Sequence, residues 1–401
     1  MNVDFSAVVE TEIVNGRVVP RLADNGGSVE TVALLQDSPA INTGNNDLAF
    51  SVGFEAQPLV NDQRGEGFDR IRFGTIDIGA FESTVNAAGS LVVTTATDVV
   101  DAFDGETSLR EAIDFANDPF AGNLGIGDAD NDGSQNDTIT FNSNLNGQTI
   151  LLNDELVISS SLAILGPGAD QLSISGFNTN RAFAIGAPFY PTPIDVVISD
   201  VTVRDAGIGV QTPEQPIAGI FNTGNLSLDG VSIESNQGNG LIHEFGSLLV
   251  ASSTFANNFA FDGGGIFVDS GGANFVNSTF SNNTATDSGG GIFVDSDADV
   301  TIRNSTITGN VAGVEDGSFA SGGGIFSDGF GNLTLHNTIV AGNLSGVRGE
   351  RVTNDTSGFF TADSSHNLIG DANASLDNGF NGNIVGDDGG GTIPILSLIH
   401  I

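Results

Sequence analysis

Short bursts of alternating apolar and polar residues recur through the second half of the chain, and one phrase marks their period. It reads Gly265-Ile266-Phe267-Val268-Asp269, Gly291-Ile292-Phe293-Val294-Asp295 and Gly324-Ile325-Phe326-Ser327-Asp328, with a weaker copy at Gly219-Ile220-Phe221 and a degenerate one at Gly240-Leu241-Ile242. From Gly219 the steps to Gly240, Gly265, Gly291 and Gly324 are 21, 25, 26 and 33 residues. Self-similarity at such a period marks a solenoid. Each phrase is succeeded by a second burst, such as Leu226-Ser227-Leu228 or Val300-Thr301-Ile302, and by a third that ends in Ile233, Phe255, Phe280, Ile307 or Val340. Three positions after each of these stands an Asn: Asn236, Asn258, Asn283, Asn310 and Asn343. Asn tolerates left-handed backbone angles and bonds its own turn, so the spacing predicts a corner at each.

A helical repeat needs apolar spacing near 3.6 residues, and a leucine-rich repeat needs its own consensus; neither pattern is present. Three short strands and three turns fill the period, which predicts an all-β chain wound as a single-stranded parallel β-helix. Equivalent residues then stack at about the 4.8 Å inter-strand spacing, with Phe267, Phe293 and Phe326 as one expected ladder. Period two admits only one of each Ile-Phe pair to the core, and the sequence leaves both assignments open. Growth of the repeat goes into turns, most clearly in the insertion Gly313 to Ser321, and solenoid binding surfaces are built from such loops.

Charge narrows the possible partners. The 401 residues carry 50 acids against 11 bases, a formal net charge of −39, and every base is Arg. That balance excludes nucleic acid and anionic membranes and favours divalent cations. Without cysteine there is no disulfide scaffold and no thiolate zinc site. No run approaches the roughly 20 apolar residues of a spanning helix, and Met1 to Val8 lack the pattern of a signal peptide. The tail Leu396-Ser397-Leu398-Ile399-His400-Ile401 breaks with the acidic style before it and resembles a translated sequencing adapter, so the chain reads as a fragment.

The sharpest local motif is Asp128-Ala129-Asp130-Asn131-Asp132-Gly133, with Asn136 and Asp137 behind it. Alternate carboxylates around a glycine turn can wrap a hard cation, so Asp128, Asp130, Asp132 and Asp137 are the candidate ligands of a structural Ca²⁺. The twelfth position is Ile139 and not the bidentate Glu of an EF-hand, which leaves a solvated acidic loop as the alternative. Asp269, Asp295 and Asp328 fall at one point of successive units, where stacked carboxylates either recruit cations or splay into solvent. No catalytic residue is assigned. Arg204 and Arg303 read as surface residues that offset acids, and His243, His336 and His366 stand singly, without metal spacing or a nucleophile. Asn-x-Ser/Thr triplets such as Asn277-Ser278-Thr279 fall at corners that favour these residues anyway.

Thr107-Ser108-Leu109-Arg110-Glu111-Ala112-Ile113, with Ala116-Asn117 beyond it, resembles the CSLREA motif that opens many bacterial surface β-helices, with Thr107 in place of its Cys. Read physically, Ser108 and Glu111 have the spacing of a capping box, and Leu109, Ala112, Ile113 and Ala116 make one apolar face of a short helix that would cover the solenoid's open end. Ser161-Leu162-Ala163-Ile164-Leu165-Gly166-Pro167-Gly168 is similar to the segment downstream of that motif in such proteins. Asp24-Asn25-Gly26-Gly27, Asp62-Gln63-Arg64-Gly65 and Asp77-Ile78-Gly79-Ala80-Phe81-Glu82 resemble the choice-of-anchor Q domain. The resemblance implies a right-handed pectin-lyase-like β-helix in a secreted or surface-displayed bacterial protein. It also implies modules at 1–85, the end of a preceding unit, and 86–395, with 396–401 as the adapter remnant. The function expected is a structural, adhesin-like rod that presents turn loops to a polysaccharide or a surface protein. The alternative is a polysaccharide lyase or hydrolase on the same fold.

Overall fold

In the computed structural model the described residues are 8–386, without 15–16, 36–37, 42, 51–56, 72–74, 84–89, 101–105, 118–136, 179–180, 187–192, 208–216, 314–320, 330–331, 348–349, 375 and 377. They divide into two compact units, 1–95 with 99–137, and 96–98 with 138–401.

The second unit is wound from short parallel strands. One array runs through Leu156–Ile158, Phe183–Ile185, Ala218–Asn222 and Asn239–His243 into the first halves of Ile266–Val276 and Ile292–Arg303, and then Ile325–Ser327. A second runs through Leu162–Leu165, Asp195–Ser199, Asn225–Asp229 and Ser247–Ala251 into the second halves of the same two long strands, and then Asn332–His336. A third array is ten-stranded, from Gln148–Leu151 to Ile384–Val385. The sequence pattern accounts for these three. It missed a fourth, made of Phe259–Ala260, Thr284–Ala285, Val311–Ala312 and Leu344–Ser345, with Val352–Thr353 added antiparallel at its edge. These segments are only two residues long, too short to show a period, and their inward residues are the small Ala260, Ala285, Ala312 and Ser345.

Register settles the question left open by the Ile-Phe pairs. Ile220, Leu241, Ile266, Ile292 and Ile325 stack as partners in adjacent strands and are fully buried. The Phe of each pair points outward. Inside the coil, Phe255 and Phe280 stack with ring centroids 5.1 Å apart, and Phe275 packs against Phe280 at 5.5 Å.

The five Asn residues do stand at corners, but not for the reason the turn rule gives. The left-handed residue is the one before each: Ser235, Asn257, Asn282, Gly309 and Gly342, with φ between 55° and 75°. The predicted Asn residues turn inward and bond the next coil instead of their own turn. The Nδ2 of Asn236, Asn258, Asn283 and Asn310 donates to the Oδ1 of the following Asn at 2.8, 2.9, 3.0 and 2.9 Å. The second Nδ2 hydrogen of Asn258, Asn283, Asn310 and Asn343 goes to the carbonyl of Ile233, Phe255, Phe280 and Ile307. Burial demands such partners, since an unsatisfied amide inside the coil costs about 1–3 kcal/mol. At the preceding corner Ser253, Ser278, Ser305 and Thr338 form a parallel hydroxyl ladder, each accepting the backbone N–H of the coil before it.

Asp355 ends the Asn ladder. Its Oδ1 accepts both the backbone N–H and the Nδ2 of Asn343, each at 2.7 Å, and the residue is 1% exposed. Burial pushes its carboxyl up to about 6, against the hydrogen bonds from Asn343 and with added repulsion from Asp371. A carboxyl raised in the folded state stabilises fully below its ordinary value of 3.8, and that contribution is lost as pH rises through about 6. Holding the carboxyl that high is equivalent to about 3 kcal/mol at most. Asp355→Asn keeps the acceptor and removes the charge, so it is expected to raise the urea midpoint at pH 8 and leave it unchanged at pH 4. A gain of equal size at both pH values would show that ionisation is not the cause.

In the first unit, helix Leu109–Asn117 has the expected capping box: Ser108 N–H donates to Glu111 Oε2 at 2.8 Å, and Glu111 N–H to Ser108 Oγ at 3.2 Å. Its buried residues are Leu109, Ala112, Ile113 and Ala116, the apolar face read from the sequence. The Asp62-Gln63-Arg64-Gly65 and Asp77-to-Glu82 motifs meet in a buried ion network. Arg64 donates to Asp62 Oδ2 from Nε at 2.9 Å and from Nη2 at 2.7 Å, between the rings of Phe68 and Phe81. Arg70 Nη1 donates to Glu82 Oε2 at 2.8 Å.

Candidate functional site

The outward side of the first array carries two parallel columns. The apolar column is Phe221, Ile242, Phe267, Phe293 and Phe326, each paired in register with the next. Phe267 and Phe293 are stacked at 5.0 Å between centroids, and Phe293 and Phe326 lie 5.1 Å apart with their planes tilted by 34°, so the expected ladder forms and is half-buried. Arg181 closes one end, with its guanidinium 4.9 Å from the centre of the Phe221 ring and its Nε donating to Glu155 Oε2 at 2.7 Å.

Two positions further along the strands come Glu244, Asp269 and Asp295, the second column. Glu244 and Asp269 lie in register, since their strands keep one offset from His243–Val268 to Ser247–Gly272, whereas register slips by one residue between Val268–Val294 and Ser270–Asp297, at the level of Asp269 and Asp295. Burial pushes Glu244 up and Asp269 adds to it, opposed by Arg181; burial pushes Asp269 up too, with Asp295 and Asp297 adding repulsion. On the other flank of the rings Asp262 is driven to about 6, by burial first and then by Asp287 and Asp295, against a hydrogen bond from Ser288 N–H. These carboxylates share one field, and a proton or a bound cation relieves it. Asp328, the third acid of the sequence pattern, is exposed.

Behind this face, pointing into the coil, lie Asn222 and His243, both fully buried. Asn222 Nδ2 donates to His243 Nδ1 at 2.8 Å and to the Gly224 carbonyl at 2.9 Å, and its Oδ1 accepts Gly224 N–H at 3.1 Å. Burial lowers the imidazole to about 4, so it is neutral in ordinary buffers with its proton on Nε2. His336 Nδ1 lies 3.0 Å from Ser365 Oγ, and His366 occupies a left-handed corner with φ 57°. The three histidines do not come together.

Of the candidate calcium ligands, Asp128, Asp130 and Asp132 lie outside the described residues, as does most of the Gly313 to Ser321 insertion. Asp137 begins the strand Asp137–Phe141 and is buried. Among the described residues no three His, Asp or Glu side chains converge as metal ligands. Arg204 donates from Nε to Asp205 Oδ2 at 2.8 Å and Arg303 is exposed, both as expected of surface bases. Sequence reasoning missed Glu244 and Asp262. The signal for Glu244 was its place two residues after Ile242 in the degenerate repeat. That for Asp262 was the matching run of Asp262, Ser288 and Ser321, each before three glycines.

Residues 217–394 match the family model described as a right handed beta helix region. The coil is a right-handed parallel β-helix. No curated protein and no solved structure matched the chain. No helix among the described residues is long and apolar enough to cross a membrane.

Proposed function

We propose that this β-helix is a rigid element of a secreted or surface-displayed protein, which presents turn loops and one outer face to a polysaccharide or to another surface protein. The observation that carries the reading is the continuity of its ladders. Apolar, Asn and hydroxyl columns run from coil to coil without a break, so bending the rod means breaking buried hydrogen bonds on several coils at once. In this reading calcium, held by Asp128, Asp130, Asp132 and Asp137, stiffens the chain and takes no part in chemistry.

The rival reading, a polysaccharide lyase or hydrolase, has one observation in its favour. Asp262, at about 6 beside Asp287 and Asp295, is in the range of a general acid. A glycan array combined with a turnover assay on neutral and acidic polysaccharides separates the two. Binding without turnover is the expected result. Release of reducing ends or of unsaturated products, abolished by Asp262→Asn, would replace the adhesive reading with the enzymatic one.

A further inference from the structure

We infer that two copies of this chain associate through the first unit, the hairpin of strands Thr11–Val14 and Arg17–Pro20 of each entering an apolar groove on the other. The groove has a volume of about 350 Å³, and its walls include Val9, Leu22, Val32, Leu34, Ile78 and Phe81. Leu22 and Ile78 are each 57% exposed, so the apolar wall continues onto the surface. Neither the N–H nor the C=O of Val32 or of Leu34 bonds to another described residue. A small apolar molecule in the groove would seal these four groups from water unpaired, at about 1–3 kcal/mol each, whereas an extended strand brings its own donors and acceptors. The groove therefore suits a strand.

The same unit carries strands that need such a cover. Thr11–Val14 and Arg17–Pro20 form a sheet of two strands only, and a lone hairpin is marginal in water, with one edge of each strand unpaired. Ile13 and Val18 stand opposite each other on one face and are 76% and 51% exposed, so that face is apolar and bare. Charge matches as well. Glu30 is the only charged residue on the groove walls, Arg17 belongs to the last register pair of the hairpin, and neither is in an ion pair among the described residues. A strand of another protein would fill the groove but leave the hairpin face uncovered. A second copy covers both, because wedge and groove lie on one unit and a two-fold axis satisfies the two contacts together, closing the assembly at two chains. In the adhesive reading, joined chains present every loop twice and gain avidity; the contact itself does not depend on that reading.

The test is sedimentation equilibrium of the full chain at about 0.15 M salt, where charges more than about 8 Å apart are largely screened and the excess of acids weighs least. A reversible dimer is expected. Val18→Asp on the hairpin and Ile78→Asp on the groove should each weaken it about tenfold or more, as should Arg17→Glu or Glu30→Arg alone, and the double variant Arg17→Glu/Glu30→Arg should recover most of the loss. All four positions are exposed, so the fold is kept, and circular dichroism checks it. Val60→Asp is the control, since Val60 is 73% exposed and part of neither surface, and it should change nothing. Because the chain has no cysteine, oxidising a mixture of Val18→Cys and Ile78→Cys chains should give a disulfide-linked pair across the contact. A dimer indifferent to Val18→Asp and Ile78→Asp, equal weakening by Val60→Asp, or no recovery on exchanging the charges would each overturn the assignment. A monomer at every concentration would overturn it too, and the groove would then belong to a strand of another protein.

Discussion

Asn283→Ala is expected to cost about 3–5 kcal/mol, the larger figure arising because the loss falls on its neighbours and not only on itself. The side chain of Asn283 is fully buried and sits in the middle of the ladder. Its Oδ1 accepts the backbone N–H of Asn258 at 3.1 Å and the Asn258 Nδ2 at 2.9 Å, while its own Nδ2 serves the Phe255 carbonyl and Asn310 Oδ1. Truncation leaves the Asn258 N–H and the Phe255 carbonyl without these partners in a place water does not reach, and opens a void beside Phe255 and Phe280. Asn282, the adjacent residue, is the control. It is exposed with φ 55°, so Asn282→Ala costs only the strain of a left-handed corner, about 1 kcal/mol, and Asn282→Gly should be close to neutral. Urea unfolding of the three variants, with hydrogen exchange at Asn258 as a local readout, gives the ranking. Equal costs at 282 and 283 would mean that the ladder contributes no more than the turn.

The same pair of residues shows how far the sequence could be read. Asn-Asn at 282–283 announced a corner, and the corner is there. Which Asn adopts the left-handed angle and which turns inward depends on what lies in the coil above, information that local propensity does not carry. The period was legible because burial on one face imposes alternation over several residues, but that alternation alone left open whether Ile266, Ile292 and Ile325 or their Phe neighbours face inward. The fourth array was not, because two-residue segments with a small inward Ala or Ser leave no alternation to see. Gly289-Gly290-Gly291 marks another limit. A Cβ on Gly290 would lie 2.4 Å from the Gly323 carbonyl oxygen and 2.5 Å from that of Val311. The glycines are required by the approach of three segments of backbone, a requirement set by tertiary structure. The outer face was half legible. Its aromatic ladder and the pair Asp269 and Asp295 arose directly from the repeat, while Glu244 sits in a degenerate copy and Asp262 is brought to them by a corner that the sequence does not reveal.

Arg64→Ala should unfold much of the first unit's ion network and invert its response to pH. The guanidinium is 3% exposed and Asp62 is 0% exposed at the side chain, so removing one partner strands a buried carboxylate, a change that costs about 3–5 kcal/mol. In the native unit burial alone would raise Asp62, but hydrogen bonds from the Arg64 side chain, from Glu82 N–H and from Arg64 N–H, helped by the Arg64 charge, outweigh it and hold the carboxyl below its ordinary value. A carboxyl lowered in the folded state contributes stability above the unfolded value, and that contribution disappears as pH falls through the folded one. Without Arg64 the burial effect prevails, the carboxyl rises, and the variant should be more stable in mild acid than at neutrality. Arg64→Lys should restore little, since an ammonium cannot make the two parallel bonds to Asp62 or lie flat between Phe68 and Phe81, which stand 4.1 and 3.9 Å from the guanidinium carbon. Hydrogen exchange at the amides of Arg64 and Glu82, tracked across pH in the full chain, reports on this unit without interference from the coil. Native-like protection in Arg64→Ala, or a pH slope of unchanged sign, would show that the motif is held by backbone geometry and that its charges are incidental.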